Sequence, residues 1–301
     1  MYLEHFNLKT LPFALTPNTE FYCNLPGHQA ALNVLLLSLR SGEGFIKITG
    51  EVGSGKTLLC RLLLERLSDQ FITAYLPNPD LSPAGLRRAL AIELGIPKPF
   101  PVDPHNLLSL ITEHLIKYHE SGKHVVLLID EAQALSTESL EALRLLTNLE
   151  TKTTKLLQMV LFGQSELDAK LNKPALRQLK QRIGFSYYLP TLKREEMDAY
   201  LCHRLAMAGY TLGSLFTPKA NELLYKKSSG VPRVINILAH KALMVAFGRN
   251  EAKVSSKAMR VAIQDSDLTL NNKRYWNLLF WLLSGGMLIS ILFLFLYKFN
   301  N

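Results

Sequence analysis

Gly50-Glu51-Val52-Gly53-Ser54-Gly55-Lys56-Thr57, with Leu58 after it, spaces small residues around one lysine and one hydroxyl in a way that suits a bound phosphate. Glycines at 50, 53 and 55 let the backbone curl until successive N–H groups converge on an anion. The Lys56 ammonium can reach the outer phosphates of a nucleotide, and the Thr57 hydroxyl suits a magnesium ligand. Small residues gather by chance in many turns, so context decides. Here the apolar run 45–49 precedes the loop and a helical pattern, 58–64, follows it. Strand, turn and helix are the setting a Walker A phosphate loop requires, and the helix N-terminus favours the same anion.

A second chemical pair lies 74 residues after Lys56, where Val125-Val126-Leu127-Leu128-Ile129 ends in Asp130-Glu131. Alone, this could be a buried strand running into a helix cap. Beside a phosphate loop it reads as a Walker B element. Asp130 would hold the magnesium shell, and Glu131 would orient or deprotonate the attacking water.

These groups need a scaffold, and the hydrophobic pattern supplies one. Strands are expected at 45–49, 71–76, 125–129, 156–162 and 185–189, with helices near 28–39, 58–68, 84–94, 105–118, 138–149 and 174–183. Alternating strands and helices imply a mostly parallel, three-layer α/β sheet. The opening segment, with Phe6, Leu11-Pro12-Phe13, Thr16-Pro17 and Phe21-Tyr22, is too rich in proline for a helix and reads as an arm packed over the core. From Pro190 onward the pattern is helical only. Helices are expected over 194–207, from Thr217-Pro218 to Ser229-Gly230, from Val231-Pro232-Arg233, and after Ser255-Ser256.

Between Arg274 and Lys298 no residue is charged, and Leu, Ile, Phe and Trp dominate. At ~1.5 Å per residue this stretch matches a hydrocarbon core of roughly 30 Å. Tyr275, Trp276, Trp281 and Tyr297 resemble interfacial aromatics. The expected organisation is therefore a core with its arm at 1–190, a helical lid at 191–268, a basic juxtamembrane linker at 269–274, a transmembrane helix at 275–297 and a short periplasmic tail at 298–301. The 48% hydrophobic content supports a sizeable core over the 301 residues. Of the net charge of +9, residues 1–190 contribute little, with 19 Lys+Arg against 18 Asp+Glu. Residues 191–274 carry 14 against 7, so the basic excess adjoins the membrane segment and favours a cytoplasmic N-terminal body. Cys23, Cys60 and Cys202 are far apart and form no metal or disulfide pattern, which fits a reducing compartment. No secretory signal pattern opens the chain.

Taken together, the phosphate loop, the carboxylate-ended strand and the helical lid resemble the AAA+ ATPases. The closer resemblance is to the ExeA/GspA-type secretion ATPases. It rests on Tyr2, Phe6, Pro12-Phe13, Thr16-Pro17, the 50–57 loop, Leu127-Leu128-Ile129-Asp130-Glu131-Ala132-Gln133, Phe162-Gly163-Gln164-Ser165-Glu166-Leu167, Leu179-Lys180-Gln181-Arg182-Ile183 and Gly230-Val231-Pro232-Arg233, and it covers about residues 1–268. The resemblance implies an AAA+ P-loop NTPase core with ATP and Mg2+ as its ligands. It places Gln164 at the sensor 1 position, where relatives more often carry Asn, Ser or Thr. Arg182 takes the arginine-finger position, with Arg177 in reserve, and Arg233 the sensor 2 position. A trans-acting arginine implies a homo-oligomer, a ring such as a hexamer.

Secretion members of the family continue past the membrane into a peptidoglycan-binding domain, whereas this sequence stops at Asn301. The short architecture resembles biogenesis proteins of the mannose-sensitive haemagglutinin (MSHA) type IV pilus. This implies pilus or secretion assembly proteins of the bacterial inner membrane as partners, and a single-pass protein with its ATPase body in the cytoplasm. Two other functions compete. Related folds serve transposition and replication initiation, and the net positive charge permits nucleic-acid binding, although no separate DNA-binding module follows the lid. A nucleotide-dependent scaffold with little turnover is the other, against which the intact carboxylate pair argues.

Overall fold

The computed structural model describes residues 2–97 and 104–266. The linker, transmembrane helix and tail expected over 269–301 lie outside the described residues, as do the last two residues of the expected lid. Among the described residues no helix is long and apolar enough to cross a membrane.

In chain order the helices are α1 (Tyr2–His5), α2 (Pro26–Arg40), α3 (Lys56–Arg66), α4 (Pro83–Glu93), α5 (Pro104–Glu120), α6 (Thr137–Leu146), α7 (Ser165–Leu171), α8 (Arg177–Gln181), α9 (Arg194–Met207), α10 (Pro218–Ser228) and α11 (Pro232–Gly248). Residues 256–266 add a further helical stretch. The strands are β1 (Phe45–Gly50), β2 (Phe71–Leu76), β3 (His124–Ile129), β4 (Leu157–Gly163) and β5 (Phe185–Leu189). They form one sheet in the order β2-β3-β4-β1-β5, parallel throughout.

Strand composition explains that order. The apolar run of β3 and the largely apolar β4, whose one amide, Gln158, donates to the Leu39 and Glu43 carbonyls, are buried on both faces, as central parallel strands must be. Val125, Leu127 and Ile129 join one hydrophobic cluster with α4, α5, α6 and α7, whereas Val126 and Leu128 join a second with α2 and α3. The result is an α/β/α sandwich with a two-residue alternation through its middle layer. Helix starts are marked by side chains: Ser82, Ser136 and Thr217 each accept the N–H of the residue three positions on, at Gly85, Ser139 and Ala220. Because β4 sits between β3 and β1, the loops leaving the carboxyl ends of these three strands are neighbours. Open α/β sheets bind their ligands at that edge.

Two local expectations need correction. The helix expected over 174–183 is a 3-10 turn, Pro174–Leu176, followed by the short α8. Helix α7 begins immediately after Gln164, where only a strand end was expected; its seven residues are fewer than the roughly 11–18 over which helical periodicity stands out.

The arm also goes elsewhere. Tyr2, Phe6, Leu8, Phe13 and Leu25 are buried in the cluster built by α9, α10 and α11, not against the sheet. The Tyr2 hydroxyl lies 2.9 Å from His240 Nδ1, and the Lys9 N–H donates to the Ala208 carbonyl at 2.8 Å. Buried Arg204 of α9 donates from Nε to the Pro12 carbonyl at 2.6 Å and stacks over the Phe21 ring at 4.8 Å. The arm is thus part of the helical unit's core.

Candidate active site

The 50–57 loop leaves the end of β1 as the sequence predicts. Gly53 has φ +80°, and a Cβ there would lie 2.5 Å from Arg233 Cβ. Any side chain would push away the start of α11, whose Arg233 N–H donates to the Gly53 carbonyl at 3.2 Å. Gly230 answers it from the other side: at φ +75°, its Cβ would meet the Leu192 carbonyl oxygen at 2.0 Å. Glycine at both places lets the helical unit close on the loop.

Lys56, 5% exposed, donates from Nζ to the carbonyls of Gly50 at 2.9 Å and Glu51 at 2.8 Å. Burial pulls its pKa down, and the carboxylates of Glu131, Asp130, Glu51 and Glu166 oppose that shift. Asp130 is 2% exposed and sits behind the loop. Its carboxylate accepts the N–H of Glu131 at 2.9 Å, and the neighbouring Thr57 hydroxyl also favours its charged form. Burial pushes the Asp130 pKa up, and those two donors offset part of the rise.

Glu131 follows with φ +51° and ψ 37°, a left-handed backbone that costs a non-glycine residue ~1 kcal/mol or more. Its Oε2 accepts Gln164 Nε2 at 3.0 Å and also the Gln133 side-chain amide. The Gln164 N–H in turn donates to Gln133 Oε1 at 3.0 Å.

A cleft of about 410 Å³ runs between sheet edge and helical unit. Val52, Gly53, Gly55, Lys56, Thr57 and Leu58 line it from the loop, and Glu131, Gln164 and Arg233 face it from β3, β4 and α11. Gly50, Glu51 and Ser54 do not line it. The first two supply the carbonyls that hold Lys56, and the Ser54 side chain is wholly buried. Arg182 stands apart: it is exposed at the end of α8, donating Nη1 to Thr147 Oγ1 at 2.9 Å. Arg177, at the other end of α8, is exposed as well. Neither lines the cleft.

The residues present fit a magnesium–nucleotide pair. Lys56 and the converging loop offer donors to phosphates, and the Thr57 hydroxyl with the Asp130 carboxylate is a hard-oxygen set. Magnesium is commonly held by one or two carboxylates plus substrate phosphates rather than by an all-protein cage. Accordingly, no group of three or more His, Cys, Asp or Glu gathers among the described residues.

Sequence reading missed three contributors. Arm residues 14–18 line the cleft, a place set only by how the arm packs on α9 and α3. Gln133 lies in a run already singled out, but its contact with Glu131 and Gln164 needs the 3-10 turn Ala132–Ala134. His28, on α2, is 6% exposed beneath the loop, its Nε2 3.0 Å from the Ser54 carbonyl. Only its place at the start of a helix hinted at it.

Burial lowers the His28 pKa below the ordinary 6.5. As pH falls through 6.5, the unfolded chain takes up a proton that the folded ring refuses, so stability is lost on acidification. His28→Gln keeps an amide donor and removes the titration. It is expected to flatten the fall in Tm below about pH 6.5; an unchanged slope would contradict a buried neutral ring.

Comparison with known proteins adds the following. Residues 39–171 match the family described as AAA domain. General secretion pathway protein A of Aeromonas hydrophila is 39% identical over 290 residues, which is 96% of this chain and 53% of that protein. The chain therefore spans about half the length of the curated relative it matches. Among solved structures, Cdc6p of Pyrobaculum aerophilum aligns with TM-score 0.64 at 18% identity, covering 81% of this chain and 69% of that one. The ORC2 protein of Aeropyrum pernix, in ADPNP-ADP complexes, aligns with TM-score 0.58 at 19% identity over 83% of this chain and 72% of that one. The RuvB Holliday junction branch migration motor of Thermotoga maritima aligns with TM-score 0.52 at 16% identity, over 79% and 67%. At these identities the structures speak for the fold alone.

Proposed function

From a chain that belongs to the ExeA type of the AAA family, we propose an ATPase that binds Mg-ATP in the cleft between the 50–57 loop and the helical lid and hydrolyses it. One observation carries the reading. Lys56, Thr57, Glu131, Gln164 and Arg233, from four separate elements, face one cleft. Lys56 exchanges its two loop carbonyls for phosphate oxygens, which suit a buried ammonium better. Thr57 and Asp130 would hold magnesium, which when bound would supply charge neutralisation at the phosphates. Glu131 takes the proton of the attacking water, and Gln164 orients that water beside it. Arg233, whose own N–H meets Gly53, ties lid position to the contents of the loop.

The wider role follows the relative's name and the sequence pattern. Residues 275–297 anchor the protein in the bacterial inner membrane, with the ATPase body on the cytoplasmic side. Cycles of lid movement drive assembly of a secretion complex or an MSHA-like type IV pilus through inner-membrane partner proteins. Arg182, exposed and away from its own cleft, serves a neighbouring subunit in a homo-oligomeric ring such as a hexamer. The likeness to replication proteins is one of fold.

The test is phosphate release from ATP by the full chain in lipid vesicles, with magnesium and then with a chelator. Release that stops on chelation is expected. A chain that releases no phosphate in magnesium would overturn the reading.

A further inference from the structure

We propose that Gln133 is the positioning residue for Glu131, aligning the carboxylate and Gln164 as one unit; the proposal rests on the hydrolytic reading of the cleft. The chain leaves β3 through a left-handed residue at Glu131, and a strained glutamate keeps that backbone only if its surroundings over-determine it. Gln133 supplies much of that determination. Its amide N–H donates to Glu131 Oε2, and its amide oxygen accepts the Gln164 N–H at 3.0 Å. Gln164 Nε2 closes the ring on the same Oε2 at 3.0 Å. Two donors thus fix one carboxylate oxygen, while Oε1 meets no donor among the described residues and is left to accept the proton of water.

Gln133 is itself held in place. Its carbonyl accepts Lys170 Nζ at 2.5 Å, and the same ammonium holds the Leu135 carbonyl at 2.8 Å. Lys170 belongs to α7, which begins at Ser165, so the base, the water-orienting residue and their clamp are braced by one short helix. An amide suits the task because it donates and accepts at once without carrying charge. Glutamate at 133 would keep the acceptor for the Gln164 N–H but set a like charge against Glu131. Alanine would remove both contacts.

The experiment compares Gln133→Glu and Gln133→Ala with wild type in the full chain. It reads kcat, equilibrium affinity for ATP, and hydrogen exchange of the Gln164 backbone amide in the nucleotide-free protein. Misplacing a catalytic group by about 1 Å costs up to ~100-fold, so kcat is expected to fall about 10- to 100-fold in both variants with ATP affinity unchanged. Exchange at Gln164 accelerates in Gln133→Ala and stays slow in Gln133→Glu, which separates the donor half of the contact from the acceptor half. Wild-type kcat in Gln133→Glu, or faster turnover in either variant, would overturn the proposal. A wild-type chain that binds ATP without turnover would overturn the hydrolytic reading as well, and the exchange data would show whether the clamp exists without it.

Discussion

Glu131→Gln is expected to lower ATP turnover about 100- to 10,000-fold, the range for removing a general base, while ATP still binds. The substitution is nearly isosteric. Glutamine can still accept the Gln133 and Gln164 amides through its oxygen, so the local geometry survives. What disappears is the carboxylate that takes the proton. Binding depends on other groups: Lys56, the loop amides and, from the lid, Arg233. One charge leaves the vicinity of Lys56, which lowers the negative potential at the phosphates and works in favour of nucleotide. Turnover of Glu131→Gln at the wild-type rate would remove Glu131 from the chemistry.

Arg182→Ala is expected to cost turnover about 1,000-fold or more, the scale of a trans-acting arginine. A guanidinium offered to a neighbour must be exposed, and one that served its own site would line its own cleft. Arg182 satisfies the first condition and fails the second. Thr147 accepts from Nη1, which fixes one donor of the guanidinium and leaves others for a further acceptor. Mixing separates this role from damage to the fold. Arg182→Ala subunits have an intact cleft and no finger; Lys56→Ala subunits have a finger and no functional cleft. Each should be inactive alone, and the mixture should regain part of the wild-type rate. Normal hydrolysis by Arg182→Ala alone would exclude a finger at this position.

What could be read from sequence is what local chemistry determines. The glycines and Lys56 of the loop, the carboxylates that end β3 and the Thr217 cap of α10 each act within a few residues of where they stand in the chain. The continuous apolar run 125–129 of β3 announced a central strand because burial on two faces leaves no place for alternation. The missed parts depend on contacts distant in sequence. Nothing near Pro12 states that its carbonyl will be held by Arg204, yet that bond places the arm along the cleft. His28 and Ser54 are 26 residues apart and meet only because α2 packs beside β1. Gln133 stood within a motif already noted; its contact with Gln164 is set by the adjacency of β3 and β4, not by spacing.

The central claim is that the 50–57 loop and the lid form one ATP site. The most direct measurement is equilibrium binding of Mg-ATP to the full chain and to Lys56→Ala. One saturable site per chain is expected in the wild type. Loss of the charged hydrogen bonds from Lys56, at about 1.5–3 kcal/mol, should weaken binding roughly 10- to 100-fold in the variant. Equal affinity in the two proteins would contradict the account.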